Sequence, residues 1–397
     1  MKLGILFLLF GYVLSQFYRS FLAVLTPILE LEIGATAADL SFASGIWFLV
    51  FAIMQIPVGW ALDRFGPRLT ASLLVAIGGG GGGVAFALAE TPGTITLAMG
   101  LFGVAGAPVL MAAYYIFTRN YPQAIFSTLA GGMIGIGTTG NLLGSAPLAY
   151  AVGLWGWRET MWGLAVIATL IAAVLLLVLR DPPKTSGAKP AGNLLSLLTN
   201  RHLLLIFPLM AVNYAPAAGL RGLWAGPYFE DIYGLNAPQI GTATLMMAAA
   251  MAIGALAYGP LERVFGTKKW VIFAGNFSGA ILCLGLWLFP DTTWLLSAIV
   301  FTAIGFAGAT YPLMMAHGQT FLPPHLTGRG ITLLNLFGIG GVALTQFITS
   351  AMAKSVGPEY ASQPEFYSSL FALFGFLLLI GCFIYLFSSE NTEQNRD

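Results

Sequence analysis

Long apolar segments separated by short polar ones dominate the chain, and this pattern predicts its secondary structure. An α-helix rises 1.5 Å per residue, so about 20 apolar residues cross the roughly 30 Å hydrocarbon core of a bilayer. Twelve segments of the 397-residue sequence meet this length. We number them spans 1 to 12 in chain order: 3–29, 40–61, 69–89, 95–117, 125–150, 158–179, 203–229, 238–261, 270–289, 293–317, 330–353 and 365–387. The pattern predicts an all-α polytopic membrane protein with twelve transmembrane helices.

The composition places these helices in lipid. Hydrophobic residues make up 57% of the chain and charged residues 8%, and the mean hydropathy is +0.83. A soluble domain carries about 25% charged residues, so this chain lacks the charges that would keep its surface in water. The net charge of +1 lacks the basic excess that nucleic-acid binding requires, and no nucleic-acid partner is expected. The predicted partner is the lipid bilayer.

The first apolar segment resembles a secretory signal, because Lys2 precedes it. It continues to about residue 29, beyond the apolar region of a signal peptide, and no small-residue cleavage site interrupts it. We interpret it as a retained membrane helix. The two cysteines, Cys283 and Cys382, both lie in apolar runs, so no disulfide framework is predicted.

The longest polar interruption runs from Arg180 to His202, between spans 6 and 7. It predicts three parts: an N-terminal six-helix bundle at residues 1–180, a cytoplasmic linker at 181–202, and a C-terminal six-helix bundle at 203–397. Lysine and arginine favour cytoplasmic loops. With the N-terminus inside, 13 of the 17 basic residues lie on the cytoplasmic side. We therefore expect a multi-pass protein of the cell inner (plasma) membrane with both termini cytoplasmic.

The two halves repeat each other at an offset of about 200 residues. Residue pairs in matching order are Arg19 and Arg221, Pro27 and Pro227, Glu30 and Glu230, Gly34 and Gly234, and Ala37 and Ala237. The loop from Gly59 to Arg68 recurs as Gly259 to Lys269, and the segment from Gly103 to Ala107 recurs as Gly305 to Ala309. Three matches in one order indicate a duplication. A parallel repeat of six-helix halves predicts a site at their interface, near the bilayer midplane.

The loop between spans 2 and 3 resembles the signature of the major facilitator superfamily, roughly G-x-L-x-D-R-x-G-R-R. The resemblance covers the whole chain and implies a transporter with two pseudo-symmetric bundles that works by alternating access. It also implies a cytoplasmic gate, in which Asp63 and Glu262 face the starts of spans 11 and 5. Arg64 and Arg68 would hold Asp63 in place. In the alternative, these charges only anchor the orientation. The implied gating residues are Gly59, Asp63, Arg64, Gly66, Arg68, Glu262 and Arg263.

Arg19 and Arg221 are the central candidates for substrate binding. They lie about sixteen and eighteen residues into spans 1 and 7, which line the central cavity in the family's arrangement. A charge at mid-bilayer costs at least about 2.5 kcal/mol and so marks a functional candidate. No acid lies deep in any span to neutralise the pair. Guanidinium suits carboxylate and phosphate, so an anionic small molecule is the predicted substrate. Alternatively, either arginine snorkels outward or pairs with Glu30 or Glu230.

Polar residues on neighbouring helix faces complete the predicted site, although ordinary packing explains each of them equally well. Pro216 and Gly219 predict a kink in span 7. The further substrate-binding candidates are Tyr12, Gln16, Tyr114, Tyr115, Asn141, Tyr214, Tyr311 and Asn335.

Function classes other than anion transport remain open. Multidrug efflux of cations predicts an acidic cavity, whereas the charges in these spans are basic. A membrane enzyme needs clustered acid–base or metal-binding residues, but the three histidines have no metal-ligand spacing, so no catalytic residue, metal or cofactor is predicted. A transport-inactive receptor or sensor would keep the same scaffold. Exchange or facilitated diffusion is favoured over proton symport, although Glu30 keeps symport open. We expect a monomer.

Overall fold

The computed structural model describes residues 2–121, 129, 132–182, 194–323 and 327–390. Helices are the only regular secondary structure within these ranges, which confirms the all-α prediction. The α-helices are Lys2–Phe17, Leu22–Ile33, Ala37–Val75, Gly81–Ala87, Pro92–Asn120, Thr139–Leu143, Ala146–Trp155, Trp157–Val178, Arg201–Asn213, Ala215–Gly219, Ala225–Tyr233, Ala237–Phe265, Lys268–Leu288, Trp294–Gly308, Tyr311–Gln319, Thr327–Val356, Pro358–Ala361 and Pro364–Tyr385. Two π-helical segments, Ala76–Gly80 and Leu220–Trp224, and a 3₁₀ segment, Leu194–Thr199, complete the set.

Nine helices of the described chain are long and apolar enough to cross a membrane, or ten if the bent pair Leu3–Phe17 and Leu22–Ile33 forms one crossing. One of the nine, Ala37–Ala87, has 51 residues and would extend about 75 Å, more than twice the bilayer core. Gly66 interrupts it with φ 85° and ψ 167°, so it contains spans 2 and 3. Span 5 falls partly outside the described residues. The membrane fold is confirmed, and the twelfth crossing stays a prediction.

The sequence repeat reappears in the way matching helices end. Gly34 and Gly234 terminate the helices of spans 1 and 7 with φ values of 65° and 64°, a left-handed conformation that glycine adopts without a steric penalty. The next helix then begins at Ala37 in the first half and at Ala237 in the second. We call the end of the protein that carries Glu30 and Glu230 the Glu30 end, and the opposite end, with Asp63 and Glu262, the Asp63 end.

The glycine run in span 3 allows close packing between helices. A Cβ atom on Gly78 would collide with the backbone of span 4 at Leu101 and Ala105, and one on Gly83 would lie 2.8 Å from the Cβ atom of Ala165 in span 6. A Cβ atom on Gly81 would have no neighbouring atom within 4 Å. Span 3 therefore fits between spans 4 and 6 because most of its central residues lack side chains.

We expect Gly78→Ala to lower the free energy of unfolding by about 1–3 kcal/mol, because an added methyl group overpacks the contact with span 4. The matched control is Gly81→Ala, which meets no neighbour and should leave stability unchanged or slightly raised. A thiol-reactive fluorophore can follow thermal unfolding in detergent, since Cys283 and Cys382 are both buried. Equal unfolding temperatures for the two variants would contradict the packing account.

Candidate functional site

Arg19 and Arg221 both lie where their helices depart from α-helical geometry. Span 1 bends by 54° between Phe17 and Leu22, and Arg19 lies in this break. Arg221 lies in the π-helical segment Leu220–Trp224. The helix of span 7 also breaks once more, where Arg201–Asn213 ends and Ala215–Gly219 begins, close to the predicted kink. Such breaks recur at functional sites, and in a membrane they are tolerated only within the protein or around a cavity.

The broken segments of spans 1 and 7 are in direct contact. A Cβ atom on Gly222 would lie 2.9 Å from the carbonyl oxygen of Arg19, and one on Gly226 would collide with the carbonyl of Ala23. The backbones therefore approach closely on both sides of this point. As a result, Arg19 and Arg221 lie near enough for their positive charges to repel each other.

Neither guanidinium forms an ion pair with a carboxylate of the described chain. Arg221 is only 1% exposed, and its Nε and Nη1 atoms have no hydrogen-bond partner. The buried Nε atom of Arg19 also has none. A side chain as enclosed as Arg221 does not extend to lipid headgroups. An uncompensated charge inside a protein is costly, so this arrangement calls for a counter-ion.

Aromatic rings from span 2 fix the position of Arg19. Its Cζ atom lies 4.9 Å from the ring centroid of Trp47 and 4.8 Å from that of Phe51. These cation–π contacts hold the guanidinium without using its N–H groups. The sequence argument missed both rings, although their spacing of four residues places them on one face of span 2.

Most of the other predicted site residues lie around the two arginines. Tyr12 and Tyr311 both lie close enough to Arg19 for electrostatic interaction. Gln16 donates from Nε2 to the Tyr12 hydroxyl at 2.9 Å. The rings of Tyr214 and Tyr311 are 5.5 Å apart between centroids. The Tyr311 hydroxyl donates to Asn335 Oδ1 at 2.8 Å, and Tyr114 lies near Tyr12. The structure thus brings together residues from spans 1, 4, 7, 10 and 11.

Tyr115 lies apart from this cluster, whereas Asn141 lies beside it on span 5, one turn after Gly137, which packs against the ring of Tyr12. Tyr115 stacks against Arg119, whose Cζ atom is 3.4 Å from its ring centroid, and lies near Asp63 and Asp181 at the Asp63 end. Asn141 lies in span 5, is 9% exposed, and leaves its buried Oδ1 atom without a hydrogen-bond partner.

Several of the predicted gating residues form polar contacts at the Asp63 end. Asp63 lies 3.8 Å from Arg119, and because its side chain is 74% exposed, this contact contributes little to stability. Arg68 donates from its backbone N–H to Asp181 and from Nε to the Leu176 carbonyl, at 2.8 and 2.6 Å, rather than to Asp63. The predicted partner helix ends, near Ile125 and at residues 324–329, lie outside the residues whose side chains are described.

The second half repeats this arrangement. Glu262 pairs with Lys268 at 2.7 Å, and Glu390 accepts from the backbone N–H of Lys268 at 2.7 Å. Glu390 follows span 12 as Asp181 follows span 6, so in each half a carboxylate caps the first helical turn after the gating loop. This contact stabilises the helix N-terminus and fixes the loop to its own half.

At the Glu30 end, spans 2 and 11 join the two halves through a set of polar contacts that we call the latch. Ser41 Oγ lies 2.8 Å from the carbonyl oxygen of Gln346 and 2.9 Å from Thr349 Oγ1. Gln346 donates to Ser44 Oγ at 2.9 Å. Trp224, one turn after Arg221 in span 7, also donates to Thr349, at 3.1 Å. The latch therefore connects span 2 and span 11 to the helix that carries Arg221.

A separate cavity of about 700 Å³ opens at the Glu30 end of the second half. Asp231, Asp291, Tyr233, Trp294 and Gln363 are among its lining residues, and none of them is a predicted site residue. Its carboxylates make it unsuitable for an anion. We therefore place the candidate site at the arginine pair and not in this larger opening.

The model of the Major Facilitator Superfamily matches residues 8–220 and again residues 206–397. The chain belongs to this superfamily. One match falls on the first half of the chain and the other on the second. Membership places the chain among transporters and not among membrane enzymes.

Three curated members of the superfamily are similar to this chain. The D-galactonate transporter of Escherichia coli O6:H1 is 25% identical over 91% of each chain. The membrane sensor protein UhpC of Salmonella typhimurium is 26% identical over 75% of this chain and 72% of its own. The 4-hydroxybenzoate transporter PcaK of Pseudomonas aeruginosa is 28% identical, but the match spans 38% of this chain and only 34% of that protein.

Among solved structures, the D-xylose-proton symporter resembles this superfamily member with a TM-score of 0.76. The two share 16% sequence identity, and the match covers 97% of each chain. At this identity the likeness establishes the fold and nothing about the solute.

We expect cysteines placed at Ser41 and Thr349 to form a disulfide under mild oxidation, because the native side-chain oxygens are 2.9 Å apart. A protease site between Lys184 and Lys189 would let a gel separate the halves unless they are cross-linked. Each single cysteine variant is the control, since the native cysteines are buried in spans 9 and 12. Complete separation of the halves in the oxidised double variant would show that the latch does not form.

Proposed function

We propose that this superfamily member moves a small organic anion, a carboxylate or a phosphate, across the membrane by alternating access. The anion would bind between the halves, held by Arg19 and Arg221. The observation that carries the proposal is the pair of neighbouring guanidiniums without any carboxylate partner in the described chain. A bound anion removes their mutual repulsion and satisfies N–H groups that otherwise lack acceptors.

The geometry suits selection by charge. Guanidinium presents its N–H groups in a planar fork that matches carboxylate and phosphate oxygens. The rings of Trp47 and Phe51 lie against Arg19 and form no hydrogen bonds with it, so they do not use the N–H groups that an anion would need. Relatives support the same class, since D-galactonate and 4-hydroxybenzoate, named for two of them, are both carboxylates.

The unequal ends of the protein support alternating access. At the Glu30 end, the latch and the contact between spans 1 and 7 separate the site from that side. Release toward that side would require these contacts to break while those at the Asp63 end form. The capping carboxylates Asp181 and Glu390 would let each half move as one unit. In this proposal the halves are residues 1–180 and 203–397, and the Asp63 end and both termini face the cytoplasm.

A second candidate function is anion sensing without transport. The similarity to the membrane sensor protein UhpC favours it, because a sensor can keep the same scaffold. Both functions use the arginine pair for binding, and only transport requires the site to open to both sides. Binding of an anion to the purified protein without uptake into vesicles would support the sensor.

We expect Arg221→Gln and Arg19→Gln each to reduce uptake of the preferred organic anion into proteoliposomes at least tenfold, because a charge-assisted contact with the substrate is lost. Arg221→Lys should restore little, since an ammonium cannot replace the guanidinium fork. The control is Arg180→Gln, which changes an exposed arginine at the Asp63 end. All variants are first checked for wild-type unfolding temperature.

A panel of carboxylates and phosphate esters identifies the preferred anion in the wild type. Uptake by a well-folded Arg221→Gln variant at the wild-type rate would remove that arginine from the mechanism. Uptake of cations in place of anions would refute the proposed substrate class.

A further inference from the structure

Gln16 contributes a second kind of polar group to the site. It lies three residues before Arg19 in span 1 and is 6% exposed. Its Nε2 atom donates to the Tyr12 hydroxyl, and its buried Oε1 atom has no hydrogen-bond partner. In the flipped orientation of the amide, Oε1 would accept a hydrogen bond from the Tyr12 hydroxyl and Nε2 would have no partner. In either orientation, one polar atom of this enclosed amide lacks a partner within the protein.

Asn141 lies level with Gln16 on the neighbouring helix. Gly137 in span 5 packs against the ring of Tyr12, and a Cβ atom on Gly144 would lie 2.8 Å from Ser20 Oγ. Spans 1 and 5 therefore run side by side in register. Asn141 follows Gly137 by four residues, as Gln16 follows Tyr12. Its Oδ1 atom is also buried and has no hydrogen-bond partner.

The site therefore presents two unmatched chemistries. Arg19 Nε and Arg221 Nε and Nη1 lack acceptors, although Arg221 also hydrogen-bonds Tyr214. The two side-chain amides each leave an oxygen that, as placed, is an acceptor lacking a donor. A carboxylate satisfies the guanidiniums but has no hydrogen to donate. A hydroxyl group both donates and accepts, so it satisfies an amide in either orientation. An ammonium group would also donate, but the neighbouring guanidiniums repel it.

We propose that the substrate is a hydroxylated carboxylate. Its carboxylate binds Arg19 and Arg221, and a hydroxyl group on the same molecule hydrogen-bonds to the amides of Gln16 and Asn141. The inference rests on the proposed anion site and adds the amides as residues that determine specificity. A site built to hydrogen-bond a substrate hydroxyl discriminates strongly against the analogue that lacks it, because its buried polar groups are then left unpaired.

The test compares carboxylates that differ only in their hydroxyl groups. The probes are D-gluconate against hexanoate and L-lactate against propionate, with D-glucitol as the neutral polyol. Binding to the purified full chain in detergent is measured by ligand-induced shifts of the unfolding temperature across concentration. This wild-type comparison needs no variant, so it does not depend on how a substitution folds.

Variants then assign the preference to the amides. Gln16→Leu and Asn141→Leu remove one amide each. Gln55→Leu is the matched control, since the Gln55 amide donates to the Phe51 carbonyl within its own helix. We expect at least one hydroxylated probe to bind the wild type at least tenfold more tightly than the unhydroxylated carboxylate of the same pair. Gln16→Leu should reduce that ratio severalfold and leave the affinity for the unhydroxylated partner unchanged.

The outcomes separate this inference from the proposed function. Equal affinities within both pairs, no binding of either hydroxylated probe, or an unchanged ratio in both amide variants would overturn the hydroxyl contact. If the hydroxyl contact were overturned but binding still depended on Arg221, the proposed anion site would remain supported. If D-glucitol bound as tightly as D-gluconate and Arg221→Gln left the affinity for D-gluconate unchanged, the proposed anion site would be wrong.

Discussion

The repulsion between the buried Arg221 and the half-buried Arg19 is the constraint on which the rest of the structure depends. Arg19 and Arg221 lie on helices whose backbones touch, and neither has an acidic partner in the described chain. Packing alone cannot compensate such a pair, because moving a charge out of water costs more than apolar contacts return. The cation–π contacts of Arg19 offset part of this cost, while Arg221 has no comparable ring contact among those found. In the proposed function, an anion completes the site.

Contacts between helices, at the latch and at the gating loops surround the arginine pair. Close glycine contacts bring the broken segments of spans 1 and 7 together, and the latch closes the Glu30 end above them. Trp224 joins the latch to the helix of Arg221 through its hydrogen bond to Thr349. Within each half, a capping carboxylate fixes the gating loop to its own bundle. Contacts between the halves are polar in the latch and apolar beside it, where the ring of Phe347 packs against Phe42 and Gly45.

Sequence patterns predicted the helices, the duplication and the central arginines, because each has a strong one-dimensional pattern: apolar length, matched order and a charge within a span. They did not predict Trp47 and Phe51, since aromatic residues are common in every span and their contact with Arg19 depends on how spans 1 and 2 cross. Tyr115 was grouped with Tyr114, yet adjacent residues on a helix point about 100° apart, and it lies at the Asp63 end. The partner of Arg68 was also missed, because Asp181 lies more than a hundred residues away in sequence.

The most direct test of the central claim is to locate a bound anion by anomalous scattering. Crystals of the protein soaked with a brominated carboxylate would show where the bromine lies, and the map around it would show the carboxylate. The account predicts the carboxylate within hydrogen-bond distance of both Arg19 and Arg221. Guanidiniums directed into the lipid, or paired with acidic side chains while the carboxylate binds elsewhere, would contradict it.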